Sequence, residues 1–300
     1  MTQILTCMTK DAVVVVADRR LTDLRSRDVA DDESCKLVLI QAQAVIAYTG
    51  LANVKPPPRG QTDLWIVDRL TPPPPTLPAF STLLGHAAYE QFSKISHLGP
   101  RAKRHTFVIA GWQRADADSP FDPFISTISN AERDDGGWEE RASKHFVLRT
   151  QELERDFELR VAGQPLARDD ETQLRAQLSD PANSEPGRIG SLLVNAVRAT
   201  SSKNNAVGPT LLVAALPRPD DAYSGIPVSV IEGPADAQVA LPEITAARTF
   251  YVSTGTGEAK LYAPHVIARG LSLADVRVYE RALSAEEIKR MYEEGKKRFR

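Results

Sequence analysis

The residue best placed to do chemistry in this chain is Thr2, which follows Met1 directly. Once Met1 is removed, Thr2 carries a hydroxyl and a free α-amine together, so a nucleophile arrives with its own base. An exposed α-amine titrates at about 7.7–8.0, low enough to accept a proton near neutral pH, and a nearby ammonium depresses that value further. The next residues describe the elements that must hold it. Residues 4–8 and 12–17 read as two short β-strands with a Lys10-Asp11 turn between them, and Asp18, Arg19 and Arg20 close the second strand. The plainer reading is a retained Met1, with Thr2 as a strand-edge residue.

The pattern continues downstream. Lys36 opens the apolar run Lys36-Leu37-Val38-Leu39-Ile40, and residues 44–52 form a fourth strand that ends in a bend at Gly50. Thr2, the strand Val13-Val14-Val15-Val16-Ala17, Asp18-Arg19-Arg20, Lys36 and Gly50 stand in order and at near-family spacing. In this they resemble the N-terminus of proteasome β-type subunits and related bacterial proteasome-like peptidases, which are N-terminal-nucleophile hydrolases. The loop between Arg20 and Lys36 is slightly longer than is usual in that family. The likeness is motif-specific over residues 2–52 and extends in element order over 2–217.

The resemblance implies a set of roles. Thr2 is the nucleophile, Lys36 supplies the ammonium beside it, and Asp18 pairs with Lys36 and fixes it. Arg20 braces the loop before Lys36, and Gly50 presents its backbone N–H to the developing oxyanion. Each residue also has a plainer reading: a charged strand start for Lys36, a turn aspartate for Asp18, a solvated arginine for Arg20 and a turn glycine for Gly50. The resemblance implies neither cofactor nor metal. Its expected substrate is a peptide or a small amide.

The family's active site also takes a serine from a glycine-rich bend, and an aspartate and a serine from the end of a late helix. Here the bend is Val161-Ala162-Gly163-Gln164, without serine, and the turn after the late helix, residues 201–208, contains no aspartate. The run Asp221-Ala222-Tyr223-Ser224-Gly225 matches the family's segment by letter, but it follows a strand and a proline turn and is read as coincidence.

Composition excludes several classes. Three hundred residues suffice for a sizeable core, as one large domain or one domain with an appendage. A formal net charge of −2 gives no reason to expect nucleic acid or an anionic membrane as partner. No apolar stretch approaches the roughly 18 residues of a membrane-spanning helix, and the N-terminus does not read as a signal peptide. Cys7 and Cys35 are the only cysteines, which suits a reducing, cytoplasmic setting, and the five histidines are scattered without metal-ligand spacing. Cys7 reads as a small buried hydrophobe. Trp65, Trp112 and Trp138 read as core or edge packing.

Further elements follow in order. A helix is expected over residues 62–70 with Thr62 as N-cap, flanked by the proline runs 56–58 and 72–75, and another over 78–95. Strands are expected over 105–112, 123–130 and 144–149, helices over 171–178 and 189–199, and a strand over 209–216. Leu192, Leu193, Ala196 and Val197 mark the expected buried face of the helix over 189–199. This order suits an α+β fold: two stacked antiparallel sheets with helices outside, the four-layer αββα sandwich that the resemblance implies. The proline-rich stretches lie where ring-forming relatives pack their helices, which argues against a standard closed ring; a homo-oligomer stays open.

The chain divides into an expected proteasome-like domain, 1–217, and a C-terminal extension, 218–300. The extension carries candidate strands at 228–231, 249–252 and 276–279, and a final helix from about residue 284 to 294 opened by the capping box Ser284-Ala285-Glu286-Glu287. Residues 274–288 are locally similar to the closing strand and helix of laminin-G-like sandwiches. Two functions remain: a threonine hydrolase that cleaves an amide, with a peptide bond favoured, or a catalytically inactive proteasome-like module with a scaffold or binding role.

Overall fold

A strand buried on both faces reads in sequence as a continuous apolar run rather than an alternation, and the segment Ala12-Val13-Val14-Val15-Val16-Ala17 is such a run. In the computed structural model it forms β2 (Ala12–Asp18), which pairs antiparallel with β1 (Gln3–Thr9). Val13, Val15 and Ala17 face one apolar cluster and Val14 and Val16 face another. The structure describes residues 2–23, 28–32, 34–40, 43–54, 60–114, 119–133, 138–219, 228–231, 242–244, 258–263 and 266–272.

The chain continues through a small pair, β3 (Leu21–Thr22) and β4 (Val29–Asp31), to β5 (Leu37–Ile40) and β6 (Ala44–Thr49). Helices α1 (Thr62–Leu70) and α2 (Leu77–Ser93) follow, then β7 (Thr106–Gln113), β8 (Asp122–Ser129), β9 (Val147–Gln151) and β10 (Phe157–Gly163). Helices α3 (Arg168–Leu178) and α4 (Pro186–Lys203) lead to β11 (Leu211–Pro217). Beyond Pro217 lie β12 (Val228–Ile231), β13 (Glu243–Ile244), and the hairpin of β14 (Glu258–Ala263) and β15 (Val266–Ser272).

Two large sheets result, in the orders β10-β1-β2-β11-β12 and β13-β5-β6-β7-β8-β9. All their pairings are antiparallel except that of β13 with β5. Met8, Val15, Val45, Val108, Trp112 and Leu212 belong to the cluster shared by the two sheets. The other face of the second sheet packs Ile46, Phe107 and Ile128 against Trp65, Ile66, Phe80 and Leu84 of α1 and α2. The other face of the first sheet packs Leu5, Val14 and Val16 against Leu174, Ile189, Leu193 and Val197 of α3 and α4.

Local chemistry accounts for where the helices begin. Thr76 caps α2 by accepting the Ala79 N–H at 3.3 Å, and Pro78 in the first turn donates no hydrogen bond that would be missed. Proline also opens α4 at Pro186, three residues before the expected start at Ile189. The buried stripe of α4 is Ile189, Leu193, Val194, Val197 and Thr200, with Leu192 and Ala196 at its edge. Thr62 is not the N-cap of α1. Gln61 holds that position, and Thr62 begins the helix with its hydroxyl donated to the Leu51 carbonyl at 2.6 Å.

One strand is longer than the sequence reading. That reading places only a glycine bend at 161–164, whereas β10 begins at Phe157 and pairs along the whole of β1. Glu158 and Arg160 interrupt its apolar pattern; Arg160 is only half-buried there and pairs with the buried Glu132. Trp65 and Trp112 lie in the core, while Trp138 is among the exposed large hydrophobics. The expected strands at 249–252 and 276–279, the final helix and the laminin-G-like segment lie outside the described residues.

Asp63, in the first turn of α1, is buried, and burial pushes its carboxyl up to about 6 from 3.8; N–H groups of the first turn offset this only in part. The folded protein therefore binds this proton more tightly than the unfolded chain does. The resulting destabilisation is absent below pH 3.8 and complete above about pH 6. Asp63→Asn is expected to raise the unfolding free energy at pH 8 by up to about 3 kcal/mol and to change it little near pH 4, as read by denaturant titration at the two pH values.

Candidate active site

Strand ends from both sheets meet at the N-terminus of β1. Thr2 precedes β1, Asp18 ends β2, and Lys36 immediately precedes β5. Lys36 Nζ donates to Thr2 Oγ1 at 2.6 Å, to Asp18 Oδ1 at 3.1 Å, and to the Arg20 carbonyl. The side chains of Lys36 and Asp18 are 1% and 0% exposed and Thr2 is 5% exposed, so the cluster is nearly dry. Burial lowers the Lys36 pKa from its ordinary value, and the Asp18 charge opposes that shift. Asp18 Oδ1 and the Arg20 carbonyl are pure acceptors, so three bonds from Nζ account for all three protons of an ammonium.

Asp18 does more than neutralise Lys36. Its Oδ2 accepts the Gln3 N–H at 2.5 Å and its Oδ1 accepts the Arg20 N–H at 2.9 Å. One carboxylate thereby ties the residue after Thr2, the end of β2 and the lysine together. The Thr2 carbonyl is held from the other side by the Gln164 N–H at 2.9 Å and the Thr49 hydroxyl at 3.3 Å. Gly163 lies directly against it at φ +82°, and a Cβ there would collide with the Thr2 carbonyl oxygen. Gly50 adopts φ +121° at the end of β6, where a Cβ would collide with the Arg104 carbonyl oxygen.

Arg20 points away from Thr2. Its guanidinium forms a two-pronged pair with Asp32, Nε to Oδ1 at 2.6 Å and Nη2 to Oδ2 at 2.9 Å. Its Nη1 also donates to the carbonyl and side-chain oxygens of Asn205, at 2.8 and 2.6 Å. Arg20 is thus clamped between the loop before Lys36 and the turn after α4, where Gly208 leaves no room for a side chain beside it. In that turn Asn205 binds Arg20. The segment 221–225 lies outside the described residues.

The structure therefore brings Thr2, Asp18 and Lys36 into direct contact and sets Arg20 behind them. Sequence reading does not single out Asp32, Asn205, Thr49 or Gln164 as partners. Their bonds span up to 185 residues of chain and leave no local pattern. Cys7 is buried on β1 and its thiol is pushed up to about 12 by desolvation, which suits packing rather than nucleophilic chemistry. Among the described residues no group of His, Cys, Asp or Glu is placed to hold a metal ion, and no helix is long and apolar enough to cross a membrane.

Antiparallel sheets packed face to face and a threonine–lysine–aspartate cluster at their edge go with a proteasome-like fold. The chain is similar to the solved structure of Anbu, a Gly-1 mutant from Hyphomicrobium sp. strain MC1. The TM-score is 0.52 at 14% sequence identity, over 79% of this chain and 89% of the other. At that identity the likeness speaks for the fold alone. No protein-family model and no curated protein matches the chain.

Removing one partner of the buried ion pair strands the other charge away from water. Lys36→Met is expected to destabilise the protein by about 3–5 kcal/mol. The double change Lys36→Met with Asp18→Asn should recover part of that loss, because neither charge is then left alone; urea titration of the three proteins reads the difference.

Proposed function

We propose that this chain is a threonine hydrolase with the four-layer αββα arrangement of N-terminal-nucleophile hydrolases, cleaving an amide and most readily a peptide bond. The observation that carries the reading is the Lys36 ammonium, 2.6 Å from Thr2 Oγ1 and ion-paired with Asp18 in a nearly dry site. A lysine so placed serves a hydroxyl whose proton is about to leave.

With Met1 removed, Thr2 Oγ attacks the amide carbonyl while the proton of Oγ passes to the α-amine of Thr2. The Lys36 ammonium, already donating to Oγ, stabilises negative charge there and depresses the amine pKa, keeping the amine neutral. Asp18 holds Lys36 in place and, through the Gln3 N–H, fixes the nucleophile's own backbone. The Gly50 N–H takes the oxyanion. The amine returns the proton to the departing nitrogen, leaving an ester on Thr2 Oγ. Water, deprotonated by the same amine, then hydrolyses that ester and restores the free hydroxyl. A homo-oligomer in the cytoplasm accompanies this reading.

A second reading has its own support. The bend at Gly163 has no serine and the turn after α4 gives Asn205 to Arg20, so part of the family's support for the nucleophile is replaced. A module that kept the fold for scaffolding or binding would look the same in these positions.

Intact mass and covalent labelling separate the two. The hydrolase reading expects mature protein without Met1, one adduct on Thr2 from a threonine-reactive inhibitor, and turnover of short fluorogenic peptides. Thr2→Ala should abolish adduct and turnover without unfolding the protein, and Lys36→Ala should lower turnover by about 10²–10⁴-fold. Retained Met1, or a free Thr2 that neither labels nor turns over substrate, would favour the scaffold.

A further inference from the structure

His105 is fully enclosed between the second sheet and α2, with Phe107 at 4.3 Å, Phe92 at 5.0 Å and Tyr48 at 5.9 Å between ring centroids. An apolar ring would suit that cage better, because the imidazole Nε2 has no hydrogen-bond partner among the described residues. What the imidazole adds is an acceptor: Nδ1 takes the Leu51 N–H at 3.1 Å. The backbone of His105 is held in turn, its N–H given to Asn130 Oδ1 at 2.8 Å.

The Leu51 N–H belongs to the peptide that follows Gly50. On the other side of Gly50, Thr49 is held in the β6–β7 ladder opposite Thr106. Past the bend, the Thr62 hydroxyl donates to the Leu51 carbonyl at 2.6 Å and the Thr62 N–H donates to the Ala52 carbonyl at 2.9 Å. Gly50 is thus a glycine at φ +121° between Thr49, which stands in the ladder, and the hydrogen-bonded Gly50–Leu51 peptide, with Arg104 and His105 too close to admit a Cβ.

We propose that His105 is a positioning residue for the oxyanion donor: by accepting the Leu51 N–H it fixes the Gly50–Leu51 peptide and, through it, the direction of the Gly50 N–H. This rests on the hydrolase reading of Thr2. Thr62 completes the clamp from the start of α1. Burial pushes the His105 imidazole down to about 3, so the ring stays neutral and Nδ1 keeps its lone pair over the whole working pH range.

Three variants test the clamp. His105→Phe keeps a ring of similar size and removes the acceptor, whereas His105→Asn keeps an acceptor near the Nδ1 position. Thr62→Val removes the hydroxyl at nearly constant shape. Amide hydrogen exchange at Leu51 should quicken at least about tenfold in folded H105F and stay near wild type in H105N. The kcat should fall about 10²-fold in H105F with KM within about threefold, and H105N should recover most of that loss. Should H105F fail to fold, T62V is expected to show faster exchange at Leu51 and a lower kcat. Unchanged exchange at Leu51 in the folded variants, or equal impairment of H105F and H105N, would overturn the proposal. If wild-type protein with a free Thr2 neither labels nor turns over substrate, the hydrolase reading falls instead, and exchange at Leu51 alone decides whether the clamp exists.

Discussion

Taking Lys36 and Asp18 out of water costs several kcal/mol per ion, and the pair survives in the interior only because its geometry leaves no donor of the ammonium unused. That requirement constrains everything around it. Thr2 must offer Oγ1, Asp18 must reach from the end of β2, and the Arg20 carbonyl must turn inward, all within hydrogen-bonding distance of one nitrogen. Three separate chain segments are therefore locked to one another at the same edge of the two sheets. Isosteric apolar groups would remove the desolvation cost, so the pair fixes geometry at that cost.

Backbone proximity supplies the rest of the precision. The Thr2 carbonyl sits against Gly163, and the bend after β6 sits against Arg104 and His105, at distances that a Cβ would forbid. Both glycines have positive φ, which costs a residue without a side chain little. They lie at strand ends, where β10 and β6 leave their ladders and the chain is free to turn. The same ends are fixed lengthwise by antiparallel registers that run unbroken from Gln3 to Thr9 against β10, and from Ala44 to Thr49 against β7.

Arg20 shows how one side chain can join two distant segments. Its two-pronged pair with Asp32 holds the loop that leads to Lys36, and its remaining nitrogen binds Asn205 beyond α4. The guanidinium thus joins the approach to the lysine with the last helix, while its own carbonyl accepts from Lys36. A planar fork with fixed donors suits that role better than a flexible ammonium would.

Much of this was legible in residue order. The apolar run of β2, the apolar face of α4 at Leu193 and Val197, and the spacing of Thr2, Asp18, Lys36 and Gly50 are local or regularly spaced features, and sequence carries such features directly. Thr62 illustrates the limit: its residue type suits an N-cap, yet its hydroxyl is drawn to Leu51, because a buried carbonyl needed a donor more than the helix end did. β10 is hidden for a related reason, since Glu158 and Arg160 break the apolar pattern and the partner of Arg160, Glu132, is distant in sequence. The sequence by itself determined which polar groups stand at the strand ends and where most of the strands and helices lie. Only the tertiary structure decided that Gln164 and Thr49 hold Thr2, that Asn205 holds Arg20 and that His105 pins the bend at Gly50. Those partners are far apart along the chain, and neither periodicity nor propensity records which buried donor will find which acceptor.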